Sequence, residues 1–482
     1  MNQANRHKEI HVVFVEPRGA HSNVFEKFMT IPMLGPLYLG TIAEKEGYKV
    51  SILNENILGR RINPSELISV DILCLSCMTA TVERGKEIAR EYKELRRSLG
   101  LPAQTIIGGI HASMIPDDVR DDFDQVFVGE AESKILDVLS GKIKDKIITG
   151  TRLEDLDGVP FANFKLIKDW ERMKVWPVMT SRGCPYNCTF CSVTEMFGRK
   201  YRIKSIERVI EEIKFYNKDN LFFVDDHFAA SKKRTREFLN ALLENNINIR
   251  WSCQVRTEVT RDEDIVGRMK RLGCRSVYVG FESVNPDSLR EIKKAQTVAD
   301  IRRSIRVFQD NRIRVHGMFM LGSDSDKKEI FRSTSDFCRE SGLTSVQYLI
   351  LTPLPGTVFY RKIEKEGRLL HKNWEFYDAM HVVFLPKNLT PAELQQGMID
   401  CFSEFYSYTS AFLDALNMFF EIPLVLLKKM HKNVHLPPFS NSLLKIVGKK
   451  IVKSWIRYNK PYLVYLKRAA LGNRRIGNNP YG

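Results

Sequence analysis

The stretch Asp71-Ile72-Leu73-Cys74-Leu75-Ser76-Cys77-Met78 (DILCLSCM) decides the fold of the first part of the chain. It is short and apolar on both faces. A strand of that kind must be covered on both sides, which is the position of a central strand in a parallel sheet. The same rhythm continues outward from it. His11–Glu16 and Lys49–Asn54 read as strands before it, with a helix predicted over Pro36–Glu46 and closed by Gly47. Ala80–Arg97 reads as a helix after it, with Thr79 the expected cap. Gln104–Ile110, which contains Gly108-Gly109, and Gln125–Val128 complete five strands. Strands alternating with helices predict a doubly wound parallel sheet, whose ligands bind at the carboxyl ends of the strands.

Residues 141–174 are charged and irregular, broken by Pro160, and read as a connector. The alternation then restarts. Apolar strands are predicted at Pro177–Thr180, Leu221–Val224, Ile249–Val255, Ser276–Phe281, Arg314–Leu321 and Ser345–Leu351, with helical patterns between them. Six such units predict a full or partial parallel barrel with its working residues at the C-terminal strand ends. The expected organisation is therefore a first α/β domain over 1–140, a connector over 141–174, a barrel over 175–370 and a helical, basic region over 371–482.

The net charge is +16, yet thirteen Lys/Arg and one acid lie between Glu421 and Gly482, which leaves only +4 for the rest. A nearly neutral body argues against an enzyme shaped around nucleic acid. The N-terminus has no apolar signal segment, and the most apolar long stretch, Ser410–Leu427, is interrupted by Asp414, Glu421 and Pro423. A cytoplasmic location is expected. Nine cysteines with no secreted-type framework point to metal or redox use.

Three of those cysteines form the strongest motif: Ser181-Arg182-Gly183-Cys184-Pro185-Tyr186-Asn187-Cys188-Thr189-Phe190-Cys191. The spacing C-x3-C-x2-C follows directly on the first barrel strand, and Gly183 and Pro185 favour tight turns. A loop there can wrap three thiolates around one face of a cubic cluster. A [4Fe–4S] cluster normally takes four thiolates, so three leave one iron open. The competing reading, structural zinc, asks for four ligands in paired spacing, and no nearby His or Cys completes such a set.

This loop resembles the signature of the radical S-adenosylmethionine (radical SAM) superfamily, including the aromatic Phe190 before the third cysteine. The resemblance implies that Cys184, Cys188 and Cys191 hold a [4Fe–4S] cluster whose unique iron chelates S-adenosylmethionine, and that Phe190 packs near adenine. It further implies that Asp225 and Asp226 hold the methionyl amino group, Arg256 pairs with the methionyl carboxylate and Glu282 binds ribose. It also implies that Gly317, in Gly317-Met318-Phe319-Met320-Leu321-Gly322, lets adenine approach the backbone. Taken singly, a carboxylate at a strand end more often caps the next helix; the common register after successive strands is what adds weight.

The first domain resembles the cobalamin-binding domain that precedes many radical SAM enzymes, through Pro32–Leu39, Ser76-Cys77-Met78-Thr79, Gly108-Gly109-Ile110-His111-Ala112 and Val128-Gly129-Glu130-Ala131-Glu132. The resemblance implies that Ser76 and Thr79 hydrogen-bond the cofactor's nucleotide tail, and that Gly108, Gly109, Gly129 and Glu130 line its site. The mutase-type D-x-H-x-x-G is missing, and Glu16-Pro17-Arg18-Gly19-Ala20-His21 stands in its place. Cobalt would then lack a lower histidine ligand. The alternative is a scaffold that only helps to enclose substrate. Cys74 and Cys77, three apart on a strand, point to opposite faces and read as core residues.

Leu424–Lys432 and Leu443–Arg468 interleave apolar residues with lysine and arginine, which suits the surface of an anionic membrane. A helical bundle packed on the barrel is the plainer alternative. The expected activity is C-methylation, or other carbon–carbon bond formation at an unactivated carbon, on a small molecule or lipid. A flavodoxin- or ferredoxin-type reductant is expected with it. Cyclisation, coupling or rearrangement without methyl transfer, tRNA methylthiolation and a non-catalytic cobalamin- or lipid-binding protein are the competing readings. Methylthiolation is disfavoured because such enzymes resemble chains with three further cluster cysteines in the first domain.

Overall fold

The computed structural model describes residues 9–21, 30–407 and 440–470. The stretch quoted above supplies β3 of a six-stranded parallel sheet. Its strands are β1 (His11–Glu16), β2 (Lys49–Asn54), β3 (Ile72–Ser76), β4 (Gln104–Gly108), β5 (Gln125–Val128) and β6 (Ile147–Thr149), in the order β2-β1-β3-β4-β5-β6. Ile72, Leu73, Cys74 and Leu75 are all buried, as a strand covered on both faces requires. The sheet has one strand more than the alternation predicted, because β6 lies inside the expected connector and pairs with β5.

Helix α1 (Leu34–Lys45) and helix α2 (Val82–Ser98) cover this sheet. In α2 the buried residues Val82, Gly85, Ile88, Ala89 and Tyr92 recur at helical spacing. Gly85 is required, since a Cβ there would sit 2.6 Å from the Cys77 sulfur. The expected capping by Thr79 does not occur. Thr79 opens a short 3-10 turn, and the Thr81 hydroxyl accepts the Met78 N–H at 3.0 Å.

A second parallel sheet follows: β7 (Trp176–Val178), β10 (Asn220–Phe223), β11 (Arg250–Val255), β12 (Cys274–Glu282), β13 (Arg314–Leu321) and β14 (Ser345–Ile350). The strands follow one another in space and the sheet stays open between β7 and β14, so this is a partial barrel. Between them, β8 (Ser181–Arg182) and β9 (Arg202–Ile203) pair antiparallel as a separate small ribbon. The outer layer comprises α3 (Ile206–Tyr216), α4 (Lys232–Glu244), α5 (Glu263–Arg271), α6 (Val298–Asp310), α7 (Glu329–Glu340) and α8 (Val358–Lys365). Trp251 anchors this layer. It is fully buried, its Nε1–H donates to the Leu272 carbonyl at 2.7 Å, and Phe223, Phe228 and Phe238 surround it. Truncation of such a residue costs about 3–5 kcal/mol.

The chain ends, within the described residues, on α9 (Pro391–Phe405) and α10 (Ser440–Ala470). Helix α10 packs on α9 and β14, with Trp455 against Phe402 of α9, while its Tyr462 stacks on Phe376 and donates to the Val382 carbonyl at 2.8 Å. This is the packed-bundle arrangement for one face of the second basic segment. Ser410–Leu427 and Leu424–Lys432 fall outside the described residues. No described helix is long and apolar enough to cross a membrane.

Candidate active site

The cysteine loop leaves β8 through Gly183, whose φ of +86° is a left-handed conformation. A Cβ there would lie 2.4 Å from the Lys200 carbonyl oxygen, so only glycine lets the loop's two ends close together. Inside the loop the Cys191 N–H donates to the Cys188 carbonyl at 3.2 Å. Two backbone bonds dock the loop on the barrel: Thr189 N–H to the Ile292 carbonyl at 3.2 Å, and Phe359 N–H, at the start of α8, to the Thr189 carbonyl at 2.9 Å.

Cys184, Cys188 and Cys191 are half-buried, whereas Cys74, Cys77, Cys253, Cys274, Cys338 and Cys401 are buried. Burial raises the Cys184 thiol and pushes Cys191 up to about 12, so metal loading must displace protons. Among the described residues no three His, Cys, Asp or Glu gather around one point as ligands of a single ion would. What fits a cluster is the donor chemistry: three half-buried thiols carried by one short loop. The Arg256 guanidinium adds a cation here. It lies 3.9 Å from the Cys188 sulfur, stacks 3.7 Å from the centre of the Tyr186 ring and is held by Glu258 at 3.0 Å. The expected carboxylate-binding arginine is thus beside the cysteines, and neither Tyr186 nor Glu258 was evident from the motif.

The strand-end residues separate into distinct roles. Asp225 is fully buried, and it accepts hydrogen bonds from Thr180 N–H at 2.7 Å, Ser181 N–H at 3.0 Å and the Thr180 hydroxyl. It ties β10 to β7, unlike the expected ligand contact, because a buried carboxylate needs such donors. Asp226 faces the cavity instead. Burial, and then the neighbouring Asp225, push its carboxyl up to about 7. Glu282 adopts a φ of +63° and is held by Lys294 at 2.7 Å, a partner that sequence gave no reason to choose. Gly317 differs from expectation. It is buried, and a Cβ there would meet Leu343 and Phe281 within 3.2 Å. Strand alternation turns the position of the missing side chain toward the helical layer, so glycine here relieves crowding against that layer. Phe190 is a half-buried residue packed against the core.

A cavity of about 550 Å³ lies between the two sheets. The first domain contributes Ser76, Met78, Gly108, Gly109, Gly129 and Glu130, and the second Met179, Val193, Met196, Phe197 and Asp226. The wall is mostly apolar. Gly109 has a φ of +95°, and a Cβ there would fall 2.6 Å from the Cys77 carbonyl. Gly129, at +85°, faces open space. Such a cradle of glycines at strand ends fits a large flat cofactor. Thr79 is buried outside this lining, contrary to its expected role. Glu130 borders the cavity, but its carboxylate is bound by Arg182 and Arg202. Those two arginines are the functional candidates that sequence reading missed. Arg182 stood in the quoted motif, two residues before Cys184. His111 is buried against Asp118 at 3.2 Å, and His21 stacks on Phe376; neither lines the cavity.

Residues 178–337 match the family model of the radical SAM superfamily, and residues 28–139 match that of the B12 binding domain. Bacteriochlorophyllide d C-12(1)-methyltransferase of Chlorobaculum tepidum is 24% identical over 409 residues, covering 82% of this chain and 87% of that protein. Hopanoid C-2 methylase of Rhodopseudomonas palustris is 25% identical over 358 residues, covering 71% and 66%. The structure of the cobalamin-dependent S-adenosylmethionine radical enzyme OxsB with aqua-cobalamin bound superposes with a TM-score of 0.65 at 16% identity, covering 98% of this chain and 83% of that one. This last likeness establishes a shared fold.

Proposed function

Since the chain carries a B12-binding domain in front of a radical SAM domain and is an enzyme of that kind, we propose that it methylates an unactivated carbon of an amphipathic small molecule. The observation that carries this reading is the single cavity shared by the two domains: the glycine cradle and the residues that follow the third cysteine border the same space. The methylase character of the two relatives supports it.

Cys184, Cys188 and Cys191 would hold the cluster, and Gly108, Gly109 and Gly129 would lie against cobalamin. When bound, the cluster, S-adenosylmethionine and cobalamin supply a hydrogen-abstracting 5′-deoxyadenosyl radical and a methyl donor, given single electrons by a flavodoxin- or ferredoxin-type protein. The chain's own part is positioning and exclusion of water. Met179, Met196 and Phe197 give the cavity an apolar wall, which would shield a reactive carbon from side reactions. Asp226 is the carboxylate on the barrel side of the lining, beside Ser181, Arg182 and Ser192. With its carboxyl near 7 it can accept or donate a hydrogen bond at neutral pH. Arg256 and Glu282 are the remaining candidates for contacts with S-adenosylmethionine.

An amphipathic substrate is supported by the apolar wall and by α10. Its outward face carries Lys450, Lys453, Arg457, Lys460 and Lys467 with exposed Val447 and Val464, and the helix has no acidic residue. That composition suits an anionic membrane surface from which an amphiphile would be drawn.

The test is anaerobic reconstitution with iron, sulfide and hydroxocobalamin, then turnover with S-(trideuteromethyl)adenosylmethionine on membrane-lipid and pigment extracts. A product carrying a trideuteromethyl group, with 5′-deoxyadenosine and S-adenosylhomocysteine formed in equal amounts, is expected. Formation of 5′-deoxyadenosine without S-adenosylhomocysteine would overturn methyl transfer and leave coupling, cyclisation or rearrangement.

A further inference from the structure

We propose that Glu130 is a positioning residue that couples the two cofactor sites, so that cobalamin binding and S-adenosylmethionine binding strengthen each other. The inference rests on the two-cofactor reading above.

The geometry is that of a buried link between domains. Gly129 and Glu130 open the loop after β5, and Gly129 faces the cavity. Glu130 Oε2 accepts Arg182 Nη1 at 2.8 Å, Arg202 Nη1 at 3.0 Å and the Leu153 N–H at 3.2 Å. Its Oε1 accepts Arg202 Nη2. Arg182 also pairs with Glu132. The side chains of Glu130, Arg182 and Arg202 are 1%, 7% and 2% exposed. Burial alone would raise the Glu130 carboxyl, but the two guanidiniums hold it below its usual range, so it stays charged.

Both arginines belong to the frame of the cysteine loop. Arg182 is on β8, immediately before Gly183-Cys184. Arg202 is on β9, which closes the ribbon from the other side and donates to the Phe197 carbonyl at 3.1 Å. Phe197 and Gly129 line the same cavity. A loop displaced by a filled cavity therefore either carries Arg182 and Arg202 with it or breaks buried, charge-assisted bonds. Apolar packing would join the domains at less desolvation cost, whereas this pairing fixes one register of Gly129 against Gly183. Coupling through such a link is reciprocal.

The experiment measures hydroxocobalamin affinity of the cluster-loaded protein, unreduced, with and without saturating S-adenosylmethionine, and then the reverse. Wild type is expected to bind each ligand at least about fivefold more tightly in the presence of the other, by the same factor. The double variant Glu130→Gln/Arg202→Met removes one charge of each sign and leaves Arg182 with Glu132. It is expected to hold wild-type iron and to bind both ligands with no mutual effect. Mutual strengthening that persists in the double variant would overturn the proposal, as would its absence in wild type. Should the double variant fail to fold, Glu130→Gln alone takes its place, with loss of the mutual effect expected and its persistence overturning the proposal. Failure of hydroxocobalamin to bind at all would remove the two-cofactor reading and the coupling with it.

Discussion

The carboxylate of Asp225 accepts the Thr180 backbone N–H at 2.7 Å, joining the end of β10 to the residues that lead into the cysteine loop. Its neighbour Asp226 has no such duty and faces the cavity. Asp225→Asn loses the charge that three donors share and is expected to cost about 2–3 kcal/mol and to lower iron content after reconstitution. Asp226→Asn is expected to leave the thermal melt nearly unchanged and to reduce product formation. Melting curves and iron assays on the two variants check this contrast.

Each of Cys184→Ser, Cys188→Ser and Cys191→Ser removes a thiolate from the half-buried loop. The expected outcome is loss of the cluster's absorbance and electron paramagnetic resonance signal, and no 5′-deoxyadenosine under dithionite. Cys338→Ser, in the buried core, should retain both signals.

Glu16 supplies a pH prediction away from the cysteines. It is buried, one oxygen accepts the Met33 N–H and Asn54 Nδ2 at 2.9 and 2.8 Å, and burial pushes its carboxyl up to about 8. A raised carboxyl binds a proton more tightly in the folded chain than in the unfolded one. Its stabilising contribution is therefore full below the unfolded value near 4.5 and is lost as pH rises toward 8. Glu16→Gln is expected to melt like wild type at pH 5 and to be more stable by at least about 1 kcal/mol at pH 8. Melting the two proteins side by side across that range measures it.

Gly109→Ala drives a Cβ to 2.6 Å from the Cys77 carbonyl at a backbone angle that favours glycine. A loss of about 1–3 kcal/mol is expected from the strain, with weaker hydroxocobalamin binding by the folded fraction. Equilibrium titration after a melt separates the two effects.

Helix α10 separates charge from packing. Lys453→Glu/Arg457→Glu/Lys460→Glu alters only exposed positions and is expected to abolish sedimentation with phosphatidylglycerol vesicles while sparing the melt. Trp455→Ala, on the buried face, should instead destabilise by about 3–5 kcal/mol. Equal vesicle binding by wild type and the triple variant would exclude this face as the membrane contact.

The parallel sheets were legible because strands such as β3 are apolar on both faces and glycines punctuate their ends. The cysteine triplet was legible because its spacing is local. What sequence could not supply were pairings across distance. Asp225 and Asp226 are adjacent and chemically identical, and only the fold, by offering Thr180 and Ser181 to one of them, gives them different work. Glu130 read as a cofactor contact because its arginine partners lie 52 and 72 residues away. Gly317 read as an opening because glycine marks both open and crowded backbone, and here Phe281 and Leu343 fill the space.

Asp118 of the first domain accepts the indole N–H of Trp374 at 2.9 Å, across 256 residues of chain. At a synthesis rate of roughly 5–20 residues per second, the ribosome delivers that indole some 13–50 s after the carboxylate that waits for it. The first domain thus spends its early life without this neighbour, and the Asp118 carboxylate has only His111 and Lys86 to hold until the indole arrives.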